Sequence, residues 1–340
     1  MNERASDVSP GRRRALLLGS AGLALSAPTV LRPRDAAAQS AAQGATQAPA
    51  PAQAPGFYRF RLGAFTVTMV HDGVFRRPVE GLVRNAPLAE VQEVLRASFL
   101  PTDQFIIPIT VTFVDTGRNL VVFDTGTGGQ LAPTAGQLAA NMRAAGLDPA
   151  RVGLVVVSHF HGDHISGLTT RENEVVFPNA EIVVPETEWR WWTDPGNESR
   201  SPQGQRGNFA NAARRFGPYR DRVRQVADGA EVAPGIRAVA AYGHTPGHTC
   251  YLVADGNDQM MFVADTTNRP ELLARRPDFH VAFDFDAEMA ERSRRRLYDR
   301  VAADRMRVTG YHFPFPATGY MAKEGDGYRF VLADWSSGLA

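Results

Sequence analysis

The chain has 340 residues, of which 44% are hydrophobic and 21% are charged, and its formal net charge is +1. This length and apolar content suffice for a large buried core, while the near-neutral charge argues against a nucleic-acid-binding protein. A single cysteine, Cys250, excludes an intrachain disulfide.

The N-terminal region predicts an export signal. A run of three arginines precedes a short apolar segment, residues 15–25, which is too short for a membrane span and is followed by alanines that fit a cleavage site. Paired arginines are typical of twin-arginine signals. We therefore predict a signal over residues 1–38 and a disordered linker rich in Ala, Gln and Pro over 39–56. The mature chain is expected in the periplasm or outside the cell, without stable membrane insertion; an uncleaved amphipathic tail is the alternative.

The next part of the chain shows strand and helix patterns. Residues 65–70 alternate apolar and polar side chains, which is typical of a half-buried strand, and Asp72-Gly73 predicts a turn. Helical spacing of apolar residues predicts helices over 87–100 and 137–145, the second ended by Gly146. Further strands are predicted over 109–114, 120–123 and 152–157, and the last is nearly all apolar, as expected for a strand buried on both faces.

The C-terminal half also contains predicted strands and a helix. Strands are predicted over 182–184, 236–241, 251–253 and 260–264, and a helix over 286–303. Cys250 is expected to be a packed apolar residue, with a place near the site as the alternative. On the helix the core-facing residues should be Met289, Leu297 and Val301, and the solvated face should carry Arg292, Arg294, Arg295 and Arg296. These patterns alone indicate only a mixture of α and β structure.

Residues 159–164 read His-Phe-His-Gly-Asp-His and directly follow an apolar strand. His159 and His161 are two residues apart, so in extended backbone their side chains leave on the same side and can bind one ion. Asp163 and His164 then turn toward a second position. Imidazole and carboxylate ligands without a thiolate suit zinc, iron, manganese or cobalt. A loop of solvated histidines is the alternative, but such tight clustering is typical of metal sites.

Five ordered segments resemble the motifs of the metallo-β-lactamase superfamily. They are residues 121–126, 159–164, 243–248, 261–265 and 310–314. The resemblance covers roughly residues 57–335 and implies a single catalytic domain there, with the α/β four-layer αββα sandwich of that fold. Within the superfamily the chain is most similar to methyl parathion hydrolases and lactonase-like enzymes, through residues 55–59, 138–146 and 327–331.

This resemblance implies a centre with two divalent metal ions, for which zinc is the first candidate. One ion would be held by His159, His161 and His244, the other by Asp163, His164 and His312, and Asp265 would bridge them. Asp124 is expected to hydrogen-bond a ligand histidine, and His248 is expected to support the site without binding metal. For His312 a packed core histidine is the alternative.

The implied function is hydrolysis of an ester-type bond, in an aryl or carboxylic ester or a phosphotriester, by a metal-bridged hydroxide. Asp163 and Asp265 would be the catalytic carboxylates, with Asp163 moving the released proton. The partner is expected to be a small, largely apolar substrate, and relatives of this kind imply a homodimer. Trp192 and Phe209 match aromatic pocket positions of methyl parathion hydrolase, with core packing as the alternative.

Two other functions stay open at this point. The segment after Asp265, residues 266–286, departs from the family pattern in a region that shapes the substrate pocket. A quorum-quenching lactonase that cleaves acyl-homoserine lactones would need the same seven ligands. An iron-dependent sulfur oxygenase would use a single iron and leave Asp163, His164 and His312 without a role.

Overall fold

The computed structural model of the chain describes residues 53–339. The predicted export signal over 1–38 lies outside the described residues, as does the predicted linker up to residue 52. The signal, the periplasmic location and the homodimer stay predictions. Within residues 53–339, no helix combines the length and the apolar content that crossing a membrane requires.

A first seven-stranded sheet contains its strands in sequence order. The first three junctions between neighbouring strands are antiparallel and the last three are parallel. The strands are β1 (Phe57–Leu62), β2 (Phe65–Pro78), β3 (Gln104–Asp115), β4 (Leu120–Phe123), β5 (Val152–Val156), β6 (Glu181–Pro185) and β7 (Val223–Val226).

The C-terminal half forms a second seven-stranded sheet, also in sequence order. All of its junctions are antiparallel except the one between β11 and β12. Its strands are β8 (Glu231–Ala233), β9 (Ile236–Ala240), β10 (Thr249–Asp255), β11 (Asp258–Phe262), β12 (Arg307–Thr309), β13 (Thr318–Glu324) and β14 (Gly327–Leu332).

The α-helices complete the fold. They are α1 (Leu88–Ala97), α2 (Leu138–Ala144), α3 (Gly162–Ile165), α4 (Glu186–Thr193), α5 (Pro195–Arg200), α6 (Gly207–Phe216), α7 (Pro270–Leu273) and α8 (Ala287–Ala303). Helix α2 packs on β2 of the first sheet and α8 on β13 of the second. The predicted αββα sandwich is confirmed. The predicted strands and helices are all present, and most bounds agree within a few residues, but β2 extends eight residues beyond its predicted end and β3 begins five residues earlier.

The two sheets are joined by aromatic residues at the end where the parallel strands stop. Phe123, the last residue of β4, packs against Phe262 at a ring-centroid distance of 5.1 Å and against Tyr251 at 5.6 Å. The Tyr251 hydroxyl also crosses to the first sheet and donates to the Val157 carbonyl at 2.8 Å. All four residues are buried, so the strand ends that carry the site are held in one rigid layer.

The predicted turn at Asp72-Gly73 is wrong. The backbone continues as β2 to Pro78, and the register against β3 shifts here as in a β-bulge. The buried Asp72 carboxylate accepts hydrogen bonds from the Thr127 amide and from the Leu138 amide, each at 2.9 Å. Gly73 has φ of 141°, and a Cβ there would collide with the Thr134 carbonyl oxygen. The glycine thus allows a close backbone approach rather than a hairpin.

The predicted solvated face of α8 is wrong for Arg294, which is buried. Residues 266–286 fold over this part of the helix and supply carbonyl oxygens to its guanidinium group. Arg292 remains exposed, as predicted. Leu297 and Val301 are buried as expected, whereas Met289 is 37% exposed, because the buried stripe of the helix continues toward its N-terminus through Arg294 and Ala290.

Replacement of Phe123 by alanine tests the aromatic junction between the sheets. We expect Phe123→Ala to lower the free energy of unfolding by about 3–5 kcal/mol, because it removes a buried ring and leaves a cavity. Urea denaturation of metal-free protein measures this difference. Trp335→Ala, at a residue that is 75% exposed, is the control and should stay within about 0.5 kcal/mol of the parent. A Phe123→Ala value as small as the control would contradict the role of the junction.

Candidate metal centre

The seven residues that the sequence predicts as metal ligands all meet at one end of the two sheets. They follow the carboxyl ends of β5, β9, β11 and β12 in loops and in the short helix α3. Two groups of potential ligands form there, with the ligand atoms of each group within 4.8 Å of one another: His159, His161, His244 and Asp265 in one group, and Asp163, His164 and His312 in the other.

In the first group, His161 lies between two other imidazoles. Its Nδ1 is 3.0 Å from His159 Nε2 and 3.0 Å from His244 Nε2. His244 Nε2 is in turn 3.3 Å from Asp265 Oδ2. Ligands about 2.0–2.1 Å from a tetrahedral ion stand roughly 3.4 Å apart, so these spacings fit one shared cation.

Asp265, a member of the first group, contacts the second group through both of its carboxylate oxygens. His312 Nε2 is 3.3 Å from Asp163 Oδ2 and 3.2 Å from Asp265 Oδ2. His164 Nε2 is 3.1 Å from the other oxygen, Asp265 Oδ1. Asp265 therefore contacts members of both groups.

Four of the five imidazoles in the two groups are oriented by a hydrogen bond on the outer side of the ring. Four Nδ1 atoms pair with oxygens: His159 with Ser158 Oγ at 2.9 Å, His164 with Asp124 Oδ2 at 2.8 Å, His244 with Asp284 Oδ1 at 2.8 Å and His312 with the Pro108 carbonyl at 2.7 Å. Such partners favour a proton on Nδ1 and leave the Nε2 lone pair for a metal. His161 is reversed and presents Nδ1 to the group.

Asp124 is placed immediately after β4 and is buried. Besides its hydrogen bond with His164, its carboxylate accepts hydrogen bonds from the Ser158 amide at 2.8 Å and the Ser158 hydroxyl at 2.7 Å. It thereby orients His164 directly and His159 through the serine.

His248 lies beside the centre but in neither ligand group. Its Nδ1 donates to the Ala241 carbonyl and its Nε2 accepts the backbone N–H of Asp265, both at 3.0 Å. Burial, together with the charge of His244, lowers the pKa of His248 to about 3, which keeps Nε2 free to accept. His248 thus fixes the backbone of Asp265.

The electrostatics of the centre favour cations. Burial raises the pKa of Asp163, but the charges of His164 and His312 outweigh it and lower that pKa to about 2. Burial lowers the pKa of His244 and His312, yet Asp265 and the neighbouring carboxylates raise both values to about 9. Carboxylates that hold protons on imidazoles this firmly would equally hold metal cations in their place.

Unsatisfied atoms provide a direct test of whether a metal fits. Two atoms that face the centre, His164 Nε2 and Asp265 Oδ1, are buried without a hydrogen-bond partner. A buried polar atom without a partner lowers the stability of the fold by about 1–3 kcal/mol, so such atoms indicate that a ligand binds there. Divalent cations would satisfy His164 Nε2 and Asp265 Oδ1 together, because these two atoms face each other at 3.1 Å. The residues therefore fit a metal site.

Glu188 on α4 connects the two ligand loops, and sequence reasoning missed it. Its buried carboxylate accepts from the Phe160 amide at 2.9 Å, between two ligand histidines, and from the Gly247 amide at 2.8 Å and the Thr245 hydroxyl at 2.9 Å, beside His244. A Cβ at Gly247 would collide with the backbone of Glu188. The only local signal was its spacing of four residues from Trp192.

Trp192 and Phe209 do not lie on the substrate side of the centre. Both are buried, with ring centroids 4.7 Å apart, and the Trp192 indole N–H donates to Glu188 Oε1 at 2.6 Å. Both residues therefore pack in the core, which is the alternative to a pocket position, and they support the helix that carries Glu188. Aromatic content alone does not separate a pocket wall from a core.

A cavity of about 900 Å³ opens onto both ligand groups. Its apolar wall includes Phe75, Leu82, Ile107, Leu131, Ala282 and Phe283. Part of the rim is formed where residues 82–84 pair with residues 280–282: the Ala282 amide donates to the Leu82 carbonyl at 2.8 Å, and the Arg84 amide to the His280 carbonyl at 2.9 Å. This volume is within the range of small-molecule sites.

Comparison with known families gives one match. The model of the metallo-beta-lactamase superfamily matches residues 106–303, which include every predicted metal ligand except His312. No curated protein matches the sequence significantly.

Solved structures of similar fold include AidC, a dizinc quorum-quenching lactonase in complex with a product, at 23% identity and a TM-score of 0.78, covering 83% of this chain and 99% of that one. AbOPH, a hydrolase in the beta lactamase superfamily, has 23% identity and a TM-score of 0.79, covering 84% and 100%. A probable metal-dependent hydrolase from Staphylococcus aureus has 18% identity and a TM-score of 0.67, covering 82% and 100%. At these identities the likeness shows the fold alone.

Replacing Glu188 tests whether it holds the ligand loops together. We expect Glu188→Ala to lower the free energy of unfolding of metal-free protein by roughly 3 kcal/mol or more, because several buried donors at about 1–3 kcal/mol each lose their acceptor. Glu186→Ala is the control on the same helix, since Glu186 is an exposed partner of Arg190 and should change stability by about 0–1 kcal/mol. Equal urea midpoints for the two variants would refute this role.

Proposed function

The chain belongs to the metallo-β-lactamase superfamily, and from this we propose that it is a dinuclear metal-dependent hydrolase that cleaves an ester-type bond in a small, largely apolar substrate. The position of Asp265 is the observation that carries the proposal. One carboxylate contacts His244 and His312 through Oδ2 and His164 through Oδ1, an arrangement that supports a pair of cations on either side of it.

The donor set supports zinc as the resident metal. Five imidazoles and two carboxylates, with no thiolate, suit zinc and also manganese, iron or cobalt. When bound, two such ions would lower the pKa of a water molecule toward neutrality and polarise the oxygen of the bond to be cleaved.

Asp163 is the residue proposed to handle the proton. It lines the cavity, and its low pKa leaves the carboxylate ionised at neutral pH. Its Oδ2 faces His312, so Oδ1 would accept the proton released in the reaction and pass it to the leaving group. Asp265 would hold the cations in position, because it is itself held on two sides: its backbone amide donates to His248, and its carboxylate accepts a hydrogen bond from Asn268.

Other nucleophiles find no support in this chain. The sequence has no Gly-x-Ser-x-Gly elbow. Burial raises the pKa of the Cys250 thiol to about 12, which keeps it protonated and unreactive. The attacking group would therefore be solvent activated at the centre.

The cavity supports the proposed substrate class. Its aromatic and aliphatic wall fits an apolar acyl or aryl group, and its volume of about 900 Å³ fits a molecule larger than a simple acetate ester. A lactonase that opens acyl-homoserine lactones is the second candidate. The apolar wall of this cavity would also fit an acyl chain, and the similarity of fold to AidC, a dizinc quorum-quenching lactonase, favours it.

Metal removal tests the dinuclear proposal. Metal analysis of purified protein should give two zinc-like ions per chain, and a strong chelator should abolish hydrolysis until zinc, manganese or cobalt is restored. One iron per chain with sulfur-oxygenase activity would contradict the proposal.

Substitution of a ligand histidine tests the assignment of the reaction to this centre. His161→Ala should lower kcat/KM by more than about 100-fold, because even residues that only orient ligands contribute 10–100-fold. The measurement is turnover of a panel of aryl esters, phosphotriesters and acyl-homoserine lactones, which also ranks the two candidate functions. His280→Ala is the control, because that imidazole pairs with Glu291 away from the ligand groups. Loss of activity in the control but not in His161→Ala would reject the assignment.

A further inference from the structure

Arg294 on α8 is a buried cation with several partners in the segment that follows Asp265. Its Nε donates to the Thr266 carbonyl at 2.8 Å and its Nη1 to the Pro277 carbonyl at 2.7 Å. A further contact, at 3.4 Å, reaches the Phe279 carbonyl. Since the guanidinium group presents its donors in a rigid plane, these contacts fix where residues 266–279 lie relative to the helix.

The same guanidinium group faces Asp284. Its Nη2 is 3.6 Å from Asp284 Oδ2, and the two side chains are each 2% exposed. The other oxygen, Asp284 Oδ1, accepts the Nδ1–H of His244 at 2.8 Å. Arg294, Asp284 and His244 thus form a buried series of contacts from α8 to the first ligand group, in which the first contact is an ion pair without a hydrogen bond and the second is a hydrogen bond.

Backbone contacts reinforce this series of contacts. The Phe285 amide donates to the His244 carbonyl at 3.2 Å, and the Asp286 amide to the Gly243 carbonyl at 2.9 Å. Asp284 is therefore held next to His244 by its own neighbours, and the only arginine or lysine that pairs with it among the described residues is Arg294.

We propose that Arg294 is a positioning residue that acts through Asp284 to orient His244 toward the metal, a role that rests on the proposed metal centre. A buried carboxylate without a cation is strongly disfavoured. Arg294 lies against Asp284 Oδ2 and holds that side chain in place. Asp284 Oδ1 accepts the Nδ1–H of His244, so that Nε2 points toward the first ligand group as a metal donor. Residues of this kind contribute about 10–100-fold to metal affinity.

Cobalt(II) binding tests the role without any substrate. The zinc-stripped full chain is titrated with Co²⁺ against a chromophoric chelator, and the visible absorption bands of bound cobalt are recorded. We expect Arg294→Met and Asp284→Asn each to weaken one of two Co²⁺ equivalents by about 10–100-fold and to change its absorption bands, while the other equivalent keeps its affinity. Arg292→Met, on the same helix but exposed, should leave both equivalents and the spectrum unchanged.

Two results would overturn the inference. If Arg294→Met only lowers the urea midpoint and both Co²⁺ equivalents keep their affinity and spectrum, Arg294 is structural. If Arg294→Met does not fold, Asp284→Asn decides, because it preserves the shape of the side chain and the carbonyl contacts of Arg294; unchanged cobalt binding in that variant rejects the role. Absence of hydrolysis across the substrate panel would count against the proposed function alone, since cobalt binding is measured independently.

Discussion

The concentration of negative charge inside the protein is the constraint on which the site depends. Four carboxylates surround the imidazoles: those of Asp124, Asp265 and Asp284 are buried, and that of Asp163 is partly exposed to the cavity. Moving a charge out of water costs several kcal/mol unless a counter-charge or hydrogen bonds offset it. Arg294 supplies one fixed positive charge, close to Asp284. The carboxylates raise the pKa values of His164, His244 and His312, so protons on these imidazoles would offset part of the remaining charge in the metal-free chain, and divalent cations would offset more of it.

The rest of the fold keeps these groups in one geometry. Loops at strand ends would spread apart without further support, because each carries only short irregular backbone. Phe123 and Tyr251 join the strand ends of the two sheets, and Glu188 bonds the loop around Phe160 to the loop around Gly247. Rigidity here serves chemistry, since a small displacement of a ligand or a substrate group is costly to catalysis.

Much of the site could be predicted from the sequence, because the ligands form short motifs of neighbouring residues. His159, His161 and His164 stand close together in the chain, and the later ligands each follow an apolar strand, so their order and spacing are visible without coordinates. Strand β4 was predicted with its observed bounds because Leu120–Phe123 is apolar and follows a clear turn.

The supporting residues could not be predicted because their partners are distant in sequence. Glu188 binds groups 28 and 59 positions away, and Asp284 binds a histidine 40 positions away. Helical periodicity placed Arg294 among exposed arginines because it describes the helix alone and not the segment that covers it. The same limit explains why Trp192 was assigned to the pocket although it packs beneath Glu188.

The attachment of residues 266–286 to both the cavity and the metal ligands limits how this enzyme can diversify. Ala282 and Phe283 line the cavity, while Asp284, the next residue, bonds His244. A mutation that reshaped this wall for another substrate would therefore disturb metal coordination as well. Cavity residues outside this segment, such as Phe75 and Leu131, form part of neither ligand group. Evolution toward new substrates is consequently less constrained at those positions, and a directed-evolution library should begin there.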